Sequence, residues 1–315
     1  MIFLKYVYAR SDRAQADLAN MVNQRFQDGA AVIRSRSIEP SDRDAVAQLL
    51  NKGFGHRRRL EFWRQVLDRL DSHPTPEGLP KYGYLLESDG RPVGAILLIF
   101  STPRTGQDPD AIRCNISSWY VEPDFRGYAS FLAAQALRHR TATYLNVSPA
   151  PNTQPIVEAQ GYSRYSNGLF VAVPAVQRRV AGVRLVAAGQ DPEAPCETFE
   201  RNLLLRHAAY GCLSFWCVTA ERAYPFVFRP RLAKAVVPCA QLIYCRDVAD
   251  VARFAGLIGR YLFAQRCPII VVDANGALPG LVGRYFDGVQ PKYFKGPERP
   301  RLGDLAYTEA AMFGM

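Results

Sequence analysis

From Ala31 onward the apolar positions follow two alternating periods. "AVIRSRSI" alternates at period two, as a half-buried strand does, while "EPSDRDAVAQLLNKGFG" spaces its apolar residues as a helix between a polar N-cap region and a closing glycine. "RRRLEFWRQVLDRL" predicts a second amphipathic helix, with Leu60, Phe62, Trp63 and Val66 toward a core and Arg57, Arg58, Arg59 and Arg64 toward solvent. "KYGYLLESDGRPVGAILLIFS" reads as a hairpin turning at Asp89-Gly90. The run "CNISSWYV" then predicts a strand that passes through a Pro-Asp turn straight into the helix "RGYASFLAAQAL". "ATYLNVS" follows as a buried strand, and "PNTQPIVEAQGYSRYSNGLFVAVP" as a short helix ending at Gly161 and a last hairpin. Residues 1–30 read as a polar helical extension capping the domain behind them.

After a basic stretch expected to be a flexible linker, Val173 to Gly182, the same scheme returns. "VRLVAAG" and "CETFERNLLLRHAAYG" give strand and helix, "CLSFWCVTAERAYPFVFRP" a hairpin, "AQLIYCRDVADVARFAGLIGRYLFAQ" strand, turn and helix, and "CPIIVVDANG" a buried strand. "LAYTEAAMFG" is expected to be the last strand. The pattern predicts an α/β (α+β) chain of two mixed sheets flanked by helices: an extension (1–30), a first domain (31–175) and a second (183–315).

Composition narrows the setting. The 315 residues are 48% hydrophobic and 22% charged, ample for two globular cores. No apolar run is long enough to span a membrane, and "MIFLKYVYARSD" meets charge too early for a secretory segment, so the expected compartment is the cytoplasm. Seven cysteines without a C-x-x-C pair read as buried, reduced thiols. Four histidines show no ligand spacing, so no metal is expected. The net charge of +10 favours acidic partners such as a nucleotide-like cofactor, without choosing among them. The Arg-rich helix face reads as solvated rather than as a nucleic-acid patch.

The order β-α-α-β-β-β-α-β-α-β, the run "YVEPDFRGYASFL" and the closing "QGYSRY" resemble the Gcn5-related N-acetyltransferases (GNAT), with V-x-P-x-[YF]-R-G as the most specific element. The resemblance covers about residues 31–173, and the second half looks like a degenerate copy fused in tandem. It implies an acyl-CoA-dependent transfer, of acetyl-CoA or another acyl-CoA, to an amine of a small molecule or peptide. It also implies that the pyrophosphate rests on Arg126, Gly127, Tyr128, Ala129 and Ser130, where free helix N–H groups and a guanidinium favour an anion, and that the pantetheine arm lies along Trp119, Tyr120 and Val121. A V-shaped gap is expected between Trp119–Val121 and Leu145–Ser148, with its counterpart near Tyr244 closed or filled.

Ala129 and Phe131 replace the family's last small residues, and Val157 stands where a tyrosine acid is frequent. No carboxylate lies between Ile112 and Val121 or in "TATYLNVS", leaving Ser118, Asn146 and Ser148 to hold a catalytic water. The same three residues also read as strand-end and sheet-face fillers. Trp119 is expected in the core, and Phe131 is expected to turn inward beneath the sheet. In the second half Asp247 and Asp250 would repel a pyrophosphate, so that half is expected to bind no CoA. The alternative to an enzyme is a non-catalytic tandem GNAT-like binding or assembly protein, and nucleic-acid binding through net charge is a third, weaker reading.

Overall fold

The computed structural model of the chain describes residues 32–55, 58–102, 111–233 and 236–314; the predicted N-terminal helix and Arg57 lie outside them. The first half follows the predicted order: β1 (Ile33–Ser37), α1 (Arg43–Phe54), α2 (Leu60–Ser72), β2 (Gly83–Ser88), β3 (Arg91–Ser101), β4 (Arg113–Val121), α3 (Ala129–Ala136), β5 (Thr143–Asn146), α4 (Gln154–Ala159) and β6 (Ser163–Ala172). The second runs β7 (Arg184–Ala187), α5 (Thr198–Ala209), β8 (Leu213–Val218), β9 (Ala223–Ala233), β10 (Val237–Tyr244), α6 (Val248–Arg253), α7 (Ala255–Ala264), β11 (Ile269–Ala274), β12 (Gly283–Lys295) and α8 (Glu309–Met312). The Asp89-Gly90 turn has both residues at positive φ, as the tight hairpin requires, and Gly161 closes α4 at φ +84.

The described strands form one twelve-stranded sheet in the order β1-β2-β3-β4-β5-β12-β6-β11-β10-β9-β8-β7. The halves exchange strands at the centre. β12 pairs antiparallel with both β5 and β6, and β6 pairs antiparallel with β11. No hairpin therefore follows α4: β6 is a single strand whose neighbours come from the far end of the chain. Nor is "LAYTEAAMFG" a strand. Its alternation is that of a buried irregular segment ending in one helical turn, α8. The true last strand, β12, escapes the period-two pattern because its register slips between Asp287 and Lys292, where Gly288 and Gln290 take positive φ and Pro291 interrupts the ladder.

Helices cover both faces. α1 and α2 bury Leu50, Trp63, Val66 and Leu70 on Leu85, Ala95, Leu97 and Ile99, while α3 seals Leu86, Ile96, Leu98 and Phe100 on the opposite face. α6 and α7 pack on Phe215, Phe226, Phe228 and Ile270, and α5 on Trp216, Val227 and Ile243. The tail joins the cores: Leu305, Ala306, Ala310 and Ala311 enter the cluster under α5, and Met312 and Phe313 enter the one under α1 and α2. The linker, expected to be flexible, is seated on α7. A Cβ at Gly259 would lie 2.2 Å from the backbone N of Ala175, and one at Gly256 2.4 Å from the Arg178 carbonyl, so the two glycines permit that approach. All seven cysteines are free thiols, six of them buried. No described helix is long and apolar enough to cross a membrane.

Candidate functional site

β4 and β5 run parallel for three pairs, Arg113↔Thr143, Cys114↔Tyr144 and Asn115↔Leu145, and then part. The cause lies on the other side of β4. Its register with β3 jumps from Ser117↔Leu97 to Tyr120↔Ala95, so Ser118 and Trp119 stand against Ile96 alone. Ser118 accommodates this bulge at φ 42, a left-handed value that costs a non-glycine residue about 1 kcal/mol or more. The strand bends away from β5, and the expected gap opens beside Trp119–Val121. Trp119 is 38% exposed there, not in the core, because no strand stands beside it to bury the indole.

A carboxylate occupies the base of this fork. Glu309, at the start of α8, donates its backbone N–H to Asn115 Oδ1 at 2.6 Å, and Asn115 Nδ2 donates across the fork to the Leu145 carbonyl at 3.2 Å. The Glu309 side chain accepts hydrogen bonds from the hydroxyls of Ser117 and Ser148, one from each arm. It is 3% exposed, whereas Ser148 is exposed at the lip. Burial pushes the Glu309 carboxyl above the usual carboxylate range, outweighing the two hydroxyls and Lys292, which favour the charged form.

The predicted residues divide around Glu309. Ser148 bonds it directly, and Ser118 Oγ lies 3.1 Å from Ser117 Oγ, one hydroxyl removed. Asn146 ends β5 in register with Tyr293. β4 and β5 supply no carboxylate, as expected, and Glu309 is the residue sequence reasoning missed. Its only signal was a lone acid in an otherwise apolar tail.

The turn after β4 is fixed by Glu122, whose N–H reaches the Val93 carbonyl and whose buried carboxylate takes Lys52 at 2.8 Å and Arg91 at 3.0 Å. Burial alone would raise its pKa, but the two cations hold it below the ordinary value. Residues Pro123–Tyr128 then form a 3₁₀ turn leading into α3, and Tyr128 supplies no side-chain cap. Arg126, Gly127 and Ser130 are exposed, and the space around Gly127 is open. The Ala129 N–H donates to the Arg126 carbonyl of that turn, but no side chain caps the helix start and its small residues are exposed, so an anion can approach it. Phe131 does not turn inward. It is 39% exposed on the outer face of α3, because Leu132, Ala133 and Ala136 already fill the face against the sheet. Phe131→Ala is accordingly expected to cost less than about 1 kcal/mol by thermal denaturation; a loss of about 3 kcal/mol or more, the range for a buried ring, would contradict this placement.

The second half has the corresponding parts in another state. β10 and β11 also pair only three times before parting, but the gap is filled: Cys245 N donates to the Gly303 carbonyl at 3.0 Å and Leu305 N to the Ile243 carbonyl at 2.7 Å. The Asp247 side chain caps its own helix, accepting from Ala249 N at 2.9 Å where an anion would otherwise bind.

By sequence the chain matches no protein-family model and no curated protein. By structure it resembles a GCN5-related N-acetyltransferase from Kribbella flavida (14% identity, 84% of this chain and 71% of that one, TM-score 0.52) and another from Anabaena variabilis (11%, 84% and 72%, 0.53). A candidate acetyltransferase from Pyrococcus horikoshii aligns over 87% of this chain and 93% of its own at 14% identity and TM-score 0.51. The fold is that of the GNAT superfamily.

Proposed function

We propose that the chain is an acyl-CoA-dependent N-acyltransferase acting on an amine of a small molecule or peptide, with acetyl-CoA as the simplest donor. The observation that carries this reading is the β4–β5 fork with a buried carboxylate at its base and an exposed helix start without a side-chain cap just beyond the same strand. A pyrophosphate would rest on Arg126–Ser130, and the pantetheine arm would pair along Trp119–Val121, where β4 lacks a neighbour on its β5 side.

In this reading Glu309 is the general base. Its raised pKa makes it a stronger base than an ordinary carboxylate, and Ser148 links it to the open lip. The acceptor's ammonium gives up a proton through the Ser148 hydroxyl to Glu309, and the freed nitrogen attacks the thioester carbonyl. The oxyanion is met by a backbone N–H of the Ser118–Trp119 bulge. The C–S bond then breaks, and the second proton of the attacking nitrogen passes through water to the leaving thiolate, so the products are a neutral amide and the CoA thiol. The tail of the second half thus supplies what β4 and β5 lack.

Calorimetric titration with acetyl-CoA, paired with a CoA-release assay over an amine panel, tests the reading. Arg126→Ala is expected to raise the Kd for CoA by roughly 10- to 150-fold, the loss of one charge-assisted contact. An unchanged Kd would remove the pyrophosphate assignment, and binding without turnover on any amine would favour the non-catalytic module.

A further inference from the structure

On the α5 side of the molecule, away from the helix N-terminus at Arg126, a cavity of about 330 Å³ lies between the two halves. One wall is a single face of α5, Phe199, Asn202, Leu203 and Arg206 at helical spacing; the other is Pro74, Thr75 and Pro76 after α2, with Ser101 and Thr102 at the end of β3. His73 and Tyr307 complete the lining, their rings 5.4 Å apart.

The chemistry of the lining is one-sided. His73 Nε2 lies 2.7 Å from the Phe100 carbonyl and must donate to it, which leaves Nδ1 to accept from the Tyr210 hydroxyl at 3.4 Å. Burial pushes the His73 pKa down to about 4, so the ring is neutral at physiological pH. Among the described residues no lining side chain is acidic, and Arg206, exposed at the mouth, is the one that carries a charge. Thr75 belongs to the lining, and its hydroxyl, buried against the wall, meets no protein partner, an unmade hydrogen bond that a ligand completes once the side chain turns toward the cavity. Pro74, Pro76, Phe199, Leu203 and Tyr307 supply apolar and ring surface, and Asn202, Ser101 and Thr102 neutral polar groups. The volume is at the small end of the range for small-molecule sites, enough for one ring with a short polar arm.

We propose that this cavity binds a small aromatic carboxylate: its ring lies among Pro74, Phe199 and Tyr307, its carboxylate meets Arg206 and Asn202, and a ring hydroxyl reaches Thr75 Oγ1. The site is independent of the acyl-transfer reading, although Tyr307 precedes Glu309 by two residues and any ligand here touches the segment that carries it.

The test is calorimetric titration of the full chain with 4-hydroxybenzoate, benzoate and 4-hydroxybenzamide. 4-Hydroxybenzoate is expected to bind, benzoate several-fold more weakly for want of the Thr75 contact, and the neutral amide at least about tenfold more weakly. Arg206→Gln, at an exposed position and therefore without effect on the unliganded melting temperature, is expected to raise the Kd for 4-hydroxybenzoate at least about tenfold, and Thr75→Val to remove the advantage of 4-hydroxybenzoate over benzoate. Equal affinity for acid and amide, an unchanged Kd in Arg206→Gln, or no binding by either acid would overturn the proposal.

Discussion

Glu309→Gln is expected to lower acyl transfer by about 10²- to 10⁴-fold, the usual contribution of a positioned general base, while the protein stays folded. The substitution keeps the volume of the side chain and its place between Ser117 and Ser148, so only the ability to take a proton is lost. The pH dependence carries the sign. Burial lifts the Glu309 pKa above its ordinary 4.5, so the wild-type rate should climb with pH through that raised value and level off above it; the Glu309→Gln variant should lack that limb. Stability should move the other way. A folded-state pKa above the unfolded one favours the native state most below about 4.5, and that advantage is lost as pH rises through the folded value. At neutral pH the wild type therefore bears the cost of a buried charge that the neutral amide of the variant would not, and the variant should melt no lower. A rate profile that keeps its acid limb in the variant would exclude Glu309 as the base.

How much of this was legible in the sequence depended on the range of the interactions. Elements governed by local periodicity, such as α2 with Trp63, Val66 and Leu70 on one face, or the β2–β3 hairpin at Asp89-Gly90, follow from the residues themselves. The strand, turn and helix at Val121–Ala136 were readable for the same reason. The exchange of β6 and β12 was not, because period-two alternation says that a segment is a strand without naming its neighbour, and β12 hides even that behind Gly288 and Pro291. Glu309 was invisible for a stronger reason. Its two hydroxyl partners lie 192 and 161 positions away, and nothing in "YTEAAM" announces that the tail turns back into a fork between two other strands. Trp119 and Phe131 were misplaced by the same reasoning, which assigns large apolar side chains to the core when the bulge at Ser118 and the already filled face of α3 leave them outside.

Arg113→Leu is expected to destabilise the protein by about 3–5 kcal/mol, the largest single effect on the fold, because it leaves a buried carboxylate without its main partner. Arg113, on β4, reaches Asp304 at 3.1 Å and the Ala306 carbonyl at 2.7 Å, with the two charged side chains 7% and 2% exposed. Burial by itself would raise the Asp304 pKa, but Arg113 and then Arg301 overcome it and hold the carboxyl at about 2. A depressed folded-state pKa gives stability that is fully present above the unfolded value of 3.8 and is lost as pH falls toward 2, so the gap between wild type and Asp304→Asn should be flat from pH 5 to 8 and close below about 4. The double variant Arg113→Met with Asp304→Leu should recover most of the lost stability, since exchanging a whole buried pair for apolar side chains is far less costly than orphaning one charge. It should not recover function. The ion pair and the Ala306 contact hold the tail five and three residues before Glu309, so a chain that melts normally but has lost this clamp is expected to show slowed acyl transfer with near-normal CoA affinity, and faster amide exchange over 305–313. Restored stability with full activity would mean that Asn115 and the two serines place Glu309 without the clamp.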